Sequence, residues 1–240
     1  MQETVLTFKR YEKKYLLSAR KFELLWERMR EHLVPDEYFR STVCSIYYDS
    51  DDFALIRHSL DRPVYKEKLR LRSYNVPGPD SPVFVELKKK YRGVVYKRRV
   101  QMSAAEAEAY MAGQGRPAEE GQILREIDFF LQTHPVSPKV FIACDREAWD
   151  DRDEPELRFT FDRNLRWRET DLHLTAGSEG EPLLDEGEVL MEIKIPEAAP
   201  LWLAHLLSEL EIFPTTFSKY GSCYQRELLE KYFNGVIVCV

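Results

Sequence analysis

The sequence predicts an α+β protein: an eight-stranded antiparallel β-barrel (a tunnel) with a polar, basic lumen and helices packed outside. Three observations lead there. Eight segments have strand character and are joined mostly by hairpin-sized gaps or short helices. Six of them alternate charged with apolar residues, and on a strand residues two apart share a face. The helical segments carry apolar stripes that need an apolar sheet face. Covering that face turns the charged faces toward one another, and eight strands are enough to close a barrel.

The strands are expected over approximately 6–15, 43–48, 65–74, 82–91, 94–102, 139–147, 156–163 and 188–195, each rich in β-branched or aromatic residues or alternating in character. Arg92–Gly93 leaves a hairpin-sized gap, and "NVPGPDSP" at 75–82 is a Pro/Gly loop between another pair. Ser18 caps "ARKFELLWERMREHL", where Phe22, Leu25, Trp26, Met29 and Leu33 form the stripe. Ser50 opens "DDFALIRHSL", Ser103 opens "AAEAEAYMA", "EEGQILREIDFFLQ" is a fourth helix, and two more fall near 198–210 and 217–232. The segment 175–187 reads as a polar, mobile loop. With no internal repeat and no linker-like stretch, the chain is expected to form a single domain over 1–240.

Composition excludes several classes. No apolar run reaches the roughly 18 residues that span a bilayer, and "MQETVLTFKR" lacks the apolar core of a signal peptide. The expectation is a cytoplasmic protein, coupled to a membrane only through another protein. Cys44, Cys144, Cys223 and Cys239 are scattered and have no metal spacing with the histidines, which argues against zinc or a disulfide framework. A net charge of −6 argues against nucleic acid as a partner, although "KKKYRGVVYKRR" at 88–99 is locally basic. There is no GxxxxGK(S/T), GxGxxG or HExxH motif.

The charged faces carry the chemistry. Lys68, Arg70 and Arg72 alternate with Leu69 and Leu71. Arg10, Glu12 and Lys14 share a face, as do Glu86, Lys88 and Lys90, then Lys97 and Arg99, then Glu192 and Lys194, and Arg158, Thr160 and Asp162. One such strand is ordinarily a wet face of an antiparallel sheet; six together, dominated by Lys and Arg, point inward. Glu12, Glu86 and Glu192 are too few to neutralise Arg10, Lys14, Lys68, Arg70, Arg72, Lys88, Lys97, Arg99, Arg158 and Lys194. Crowded cations repel unless anions relieve them, so the expected ligand bears several negative charges in a row. Linear phosphates match the Arg fork and the Lys point charge. Mg²⁺ or Mn²⁺ is usually held by one or two carboxylates plus the substrate's own oxygens. Glu192 is the leading metal ligand, with Glu12 and Glu86 behind it; those two have ion pairing as an equal alternative.

"RYEKKYLL", "SIYYDS", "KLRLRSY", "FVELKKK", "YKRR", "RFTFDRN", "LMEIKIP" and "FSKYGSCY" occur in an order that resembles the VTC domain, the polyphosphate polymerase domain of the vacuolar transporter chaperone family, within the triphosphate tunnel metalloenzymes. The resemblance spans residues 7 to 230. It implies ATP and polyphosphate as substrates, a divalent metal, and transfer of the γ-phosphoryl group to a growing polyphosphate chain. Carried over by motif, Lys14, Arg70, Arg72 and Lys88 are similar to phosphate-binding residues, and Lys97, Arg99 and Arg158 to further lumen contacts. Glu192 resembles the metal ligand and Lys219 a tunnel-end contact; Ser218 is expected to cap the last helix and touch phosphate, with Arg146 an addition.

The chain departs from the hydrolytic branch of that superfamily, which opens with Glu-x-Glu-x-Lys, where this chain has Arg10-Tyr11-Glu12-Lys13-Lys14. A cation in place of a carboxylate suits a polyanion site better than a two-metal hydrolase. The activity expected is polyphosphate polymerase. A triphosphatase or polyphosphatase on the same scaffold, or a non-catalytic polyphosphate-binding module, are the alternatives, since fold does not dictate chemistry.

Overall fold

The computed structural model describes residues 11–92, 94–117, 120–196 and 198–233. The expected strand at 6–15 lies partly outside them, as do Arg10, Cys239 and the apolar C-terminal stretch. Nine strands form: β1 Tyr11–Leu17, β2 Leu33–Asp49, β3 Tyr65–Tyr74, β4 Pro82–Tyr91, β5 Val94–Ser103, β6 Ser137–Asp151, β7 Arg158–Arg168, β8 Glu181–Pro182 and β9 Val189–Ile195. The helices are α1 Ala19–Met29, α2 Ala54–Leu60, α3 Ala104–Met111, α4 Gln122–Thr133, α5 Leu201–Glu209, α6 Lys219–Cys223 and α7 Leu229–Phe233.

The sheet is open, which corrects the expected closed eight-stranded barrel and its enclosed lumen. Hydrogen-bonded neighbours run β1-β9-β7-β6-β2-β3-β4-β5, with β8 added beside β7, so β1 and β5 end the sheet. The physical reason is that alternation specifies which side chains share a face, whereas closure requires the two terminal strands to pair with a matching stagger. The pairings β1–β9, β2–β3, β3–β4, β4–β5, β7–β8 and β7–β9 are antiparallel, as expected.

The chain divides into two compact units. The first comprises Met1–Ser41, Asp145–Asn164 and Leu184–Phe217. Its core is the apolar side of β1, β7 and β9 (Tyr15, Leu17, Phe159, Phe161, Met191, Ile193) covered by Phe22, Leu25 and Met29 of α1 and Leu203 and Leu206 of α5. Ser18 caps α1 as the sequence predicts, accepting from the Lys21 N–H at 3.4 Å. The helix stops at Met29 and tightens into a 3₁₀ turn over Arg30–His32 before β2 begins.

The second unit comprises Thr42–Cys144, Leu165–Leu183 and Ser218–Val240. Leu69 and Leu71 of β3, and Val83, Val85 and Leu87 of β4, are fully buried against Ala107 and Tyr110 of α3 and Leu124, Ile127 and Phe130 of α4. Ser103 caps α3, accepting from the Glu106 N–H at 3.2 Å. The segment read as a mobile loop is pinned by arginine: Arg168 donates to the carbonyls of Thr170, Asp171, His173, Gly177 and Glu179, and Arg166 to Ser178. Gly180 is required there, since a Cβ would lie 2.5 Å from the Trp167 carbonyl oxygen.

Candidate functional site

In the second unit the register gathers the predicted cations of β3, β4 and β5. Lys68 lies opposite Lys88, which lies opposite Lys97. One rank along, Tyr47 of β2 faces Arg70, Arg70 faces Glu86, and Glu86 faces Arg99. The next rank holds Ser45, Arg72 and Phe84. These are the even positions of β3, whose odd positions, Leu69 and Leu71, occupy the core. The leucine side is therefore the apolar inside of this unit, and the cations lie on the opposite face.

Glu86 organises that face. Its side chain is 1% exposed and takes Arg70 Nη2 at 2.6 Å and Lys97 Nζ at 2.7 Å. Burial alone would raise its pKa, but the charges of Arg70, Arg72 and Lys97 overcome it and lower the value to about 2. The carboxylate is thus ionised near neutral pH and engaged in ion pairs. Burial would lower the Arg70 pKa, yet Tyr47 and Glu86 outweigh it and raise it. Arg72 is 7% exposed and donates from Nε to Ser45 Oγ at 3.4 Å. The Arg99 guanidinium rests over the Phe84 ring at 4.6 Å.

The start of α6 joins the same cluster. Ser218 caps it, accepting from the Gly221 N–H at 3.3 Å and from Lys68 Nζ at 3.0 Å. Lys219 is near enough to Tyr47 to depress its phenol; burial would raise that pKa, but Arg70, Arg72 and Lys219 leave it below the ordinary tyrosine value. Lys68, Arg70, Arg72, Lys88, Lys97, Arg99, Ser218 and Lys219 are thereby brought together around one buried carboxylate.

The first unit holds the rest: Glu12, Lys14, Arg146, Arg158, Glu192 and Lys194. Glu12 faces Lys194, which faces Arg158; Lys14 faces Glu192, which faces Thr160. Lys14 Nζ lies 3.0 Å from Glu192 and 3.5 Å from Glu12. Here carboxylates balance the cations. Arg146 makes a two-pronged contact with buried Asp162 at 2.6 and 2.7 Å. Arg158 pairs with Asp36 and, at 2.9 Å, with Asp150. Lys194 is lowered in pKa by burial and then by Arg146 and Arg158, against the pull of Glu12 and Glu192. Asp36, Glu37, Tyr38, Asp150, Pro155 and Arg158 line a cavity of about 300 Å³.

The site carboxylates therefore fall into two groups. Glu86 belongs to the arginine and lysine cluster of the second unit, and Glu12 and Glu192 flank Lys14 in the first. Among the described residues no set of three or more His, Cys, Asp or Glu is grouped to hold a metal.

Sequence reasoning gave no site role to Tyr47, Asp36, Asp150 or Asp162, although it placed Asp162 on the charged face. Tyr47 reads as strand-end packing, because its placement beside Arg70 depends on the β2–β3 register. Asp36 and Asp150 lie in stretches of β2 and β6 beyond the expected strand ends. Asp162 was detectable, since it alternates with Arg158 and Thr160.

An antiparallel sheet with helices on its apolar side and arginine–lysine ranks on the other is the architecture that carries the candidate site. The chain belongs to the VTC domain family, which matches residues 9–227. A candidate adenylate cyclase from Bacillus halodurans is similar in fold at TM-score 0.55 and 14% identity, over 92% of this chain and 96% of that one. A candidate adenylate cyclase from Vibrio parahaemolyticus aligns over 90% of this chain and 97% of its own, at 11% identity and TM-score 0.47. A candidate adenylyl cyclase from Hippeastrum, described as having a dominant triphosphatase activity, aligns over 89% and 94% at 14% identity and TM-score 0.48. No curated protein matches the sequence. Among the described residues, no helix is long and apolar enough to cross a membrane.

Proposed function

We propose that this protein hydrolyses the terminal phosphoanhydride bond of a linear phosphate chain, the triphosphate of ATP or a short polyphosphate, with Mg²⁺ or Mn²⁺. The observation that carries the reading is the convergence of Lys68, Arg70, Arg72, Lys88, Lys97, Arg99 and Lys219 on one face around a single buried, ionised glutamate. Cations gathered on one face attract a polyanion, and charge stabilisation plus positioning is most of what phosphoryl transfer requires.

Glu192 and Glu12 are the residues that would hold the metal. Two hard oxygen donors suit an ion that completes its shell with substrate phosphate oxygens and water. When bound, such an ion would supply positive charge to phosphate oxygens. The chain's own work is to bind and orient. Arg70 and Arg72 grip phosphate oxygens, and Lys68, Lys88, Lys97 and Lys219 neutralise the chain. Water forms the new bond to the terminal phosphorus while the bridging oxygen leaves with the shortened chain. The proton lost by water passes to product phosphate or solvent.

The open sheet favours water as the acceptor. A polymerase must let a second phosphate chain outcompete water at the reacting phosphorus, which calls for an enclosed passage. The VTC family membership supports a second reading, in which that acceptor is a growing polyphosphate. Purified protein with ATP and Mn²⁺ separates them. Orthophosphate as the sole new phosphate product supports hydrolysis, and polymers longer than the nucleotide support polymerisation. Tight binding of tripolyphosphate without turnover would overturn both in favour of a binding module.

A further inference from the structure

Arg70 has five N–H donors. Two of them, on Nε and Nη2, converge on a single atom, Glu86 Oε2, at 2.7 and 2.6 Å. Two bonds onto one oxygen form a pivot, since the guanidinium can swing about that atom while keeping both. A third donor, on Nη1, reaches the Tyr47 hydroxyl at 3.3 Å. This second anchor stops the swing. It leaves one N–H on each of Nη1 and Nη2, the end-on fork that matches two oxygens of a phosphate.

Tyr47 is itself immobilised. It is 6% exposed, and its ring stacks on Tyr220 with centroids 4.8 Å apart and planes at 18°. The Tyr220 hydroxyl donates to Asp49 Oδ2 at 2.9 Å. Asp49 is fully buried and also accepts the backbone N–H groups of Leu55 and Ile56, at 2.9 and 3.0 Å, at the start of α2. The phenol is thus referenced to α2 and α6 rather than to its own strand alone.

We propose that Tyr47 is a positioning residue: with Glu86 it locks the Arg70 guanidinium so that the end-on pair of N–H groups stays presented to the substrate phosphate. The assignment deepens the phosphate-cleaving reading and rests on it for the site, but not for turnover. Tyr47→Phe keeps the ring stack and removes only the hydroxyl. A hydrogen bond to a charged partner is worth enough that its loss should lower kcat/KM about tenfold. Most of that loss falls in kcat, because a swinging guanidinium still attracts the ground-state anion. A purely structural role would lower the melting temperature instead and leave the per-molecule kcat of folded protein unchanged.

The test is a double-mutant cycle of Tyr47→Phe with Arg70→Lys, which keeps a cation beside Glu86 but has no fork to hold. It is read in kcat/KM for ATP with Mn²⁺ and in calorimetric affinity for inorganic tripolyphosphate in EDTA, with thermal melting of each variant. The expected result is that Tyr47→Phe costs activity and a few-fold in affinity in the native background, and nothing further beside Arg70→Lys. Equal losses in both backgrounds, or none in either, would overturn the assignment. Tripolyphosphate binding without turnover in the native protein would remove only the hydrolytic reading, since coupling in the affinity cycle still decides Tyr47.

Discussion

Arg70 and Glu86 form a buried, two-pronged ion pair across β3 and β4, with both donors on one carboxylate oxygen and Lys97 on the other. Removing one partner of a buried pair costs far more than the pair contributes, because the survivors keep their charge without a counter-ion. Glu86→Ala would leave Arg70, Arg72 and Lys97 facing one another. It should destabilise the protein by about 3–5 kcal/mol in urea denaturation. Added tripolyphosphate should recover part of that loss, by binding the native state where the glutamate had been. A variant as stable as the parent, and indifferent to the anion, would contradict the account.

The same glutamate predicts a pH response with a definite sign. Its folded pKa is about 2, below an ordinary value of 4.5. A depressed carboxylate contributes stability that is complete above the unfolded value and is lost as pH falls through the folded one. The window is therefore pH 4.5 down to about 2, and the contribution is on the order of 3 kcal/mol. Glu86→Gln has no charge to lose. Its unfolding free energy should fall less steeply than the parent's across that window, and parallel curves would refute the assignment.

Strand identity was legible where one side of a strand is buried and the other charged. β3 and β4 occupy the predicted spans and β5 exceeds its span by one residue, because the turn chemistry between them is explicit. β2 begins ten residues earlier than its expected start at 43, since Val34–Arg40 is largely exposed and shows no alternation. β7 continues past Asn164, whose left-handed φ of 48° marks an irregularity that reads as a strand end. The grouping of Lys68, Arg70, Lys88 and Lys97 follows from parity and hairpin register, both visible in the chain. Closure was not legible, because it depends on whether β1 and β5 meet, and no local pattern reports that. Nor was the division of labour between the glutamates, since Glu86, Glu12 and Glu192 look alike until register gives each its cations.

Glu192 and Glu86 should therefore respond differently to neutralisation. Glu192 sits 3.0 Å from Lys14, with Glu12 on the other side of the same ammonium. Glu192→Gln should raise the Mn²⁺ concentration for half-maximal turnover by more than about tenfold, since even outer-shell partners of a metal are worth that much. Tripolyphosphate affinity in EDTA should stay close to the parent's, because the cation cluster of β3–β5 is untouched. Unchanged metal dependence would take Glu192 out of the metal site.

Ser218 combines two duties that substitution can separate. Its hydroxyl caps α6 through the Gly221 N–H and also receives Lys68 Nζ. Ser218→Ala removes the cap, which should cost about 1 kcal/mol, but leaves the Lys68 charge available to phosphate. Ser218→Asp restores a capping oxygen, and a carboxylate is favourable at a helix N-terminus, so stability should match the parent's. That carboxylate also pairs with Lys68 and competes with an incoming anion. Tripolyphosphate affinity should therefore fall in Ser218→Asp and hold in Ser218→Ala, the reverse of the order of their stabilities. If calorimetry found affinity following stability in both variants, Lys68 would be a structural cation and the phosphate-binding face would end at Arg70.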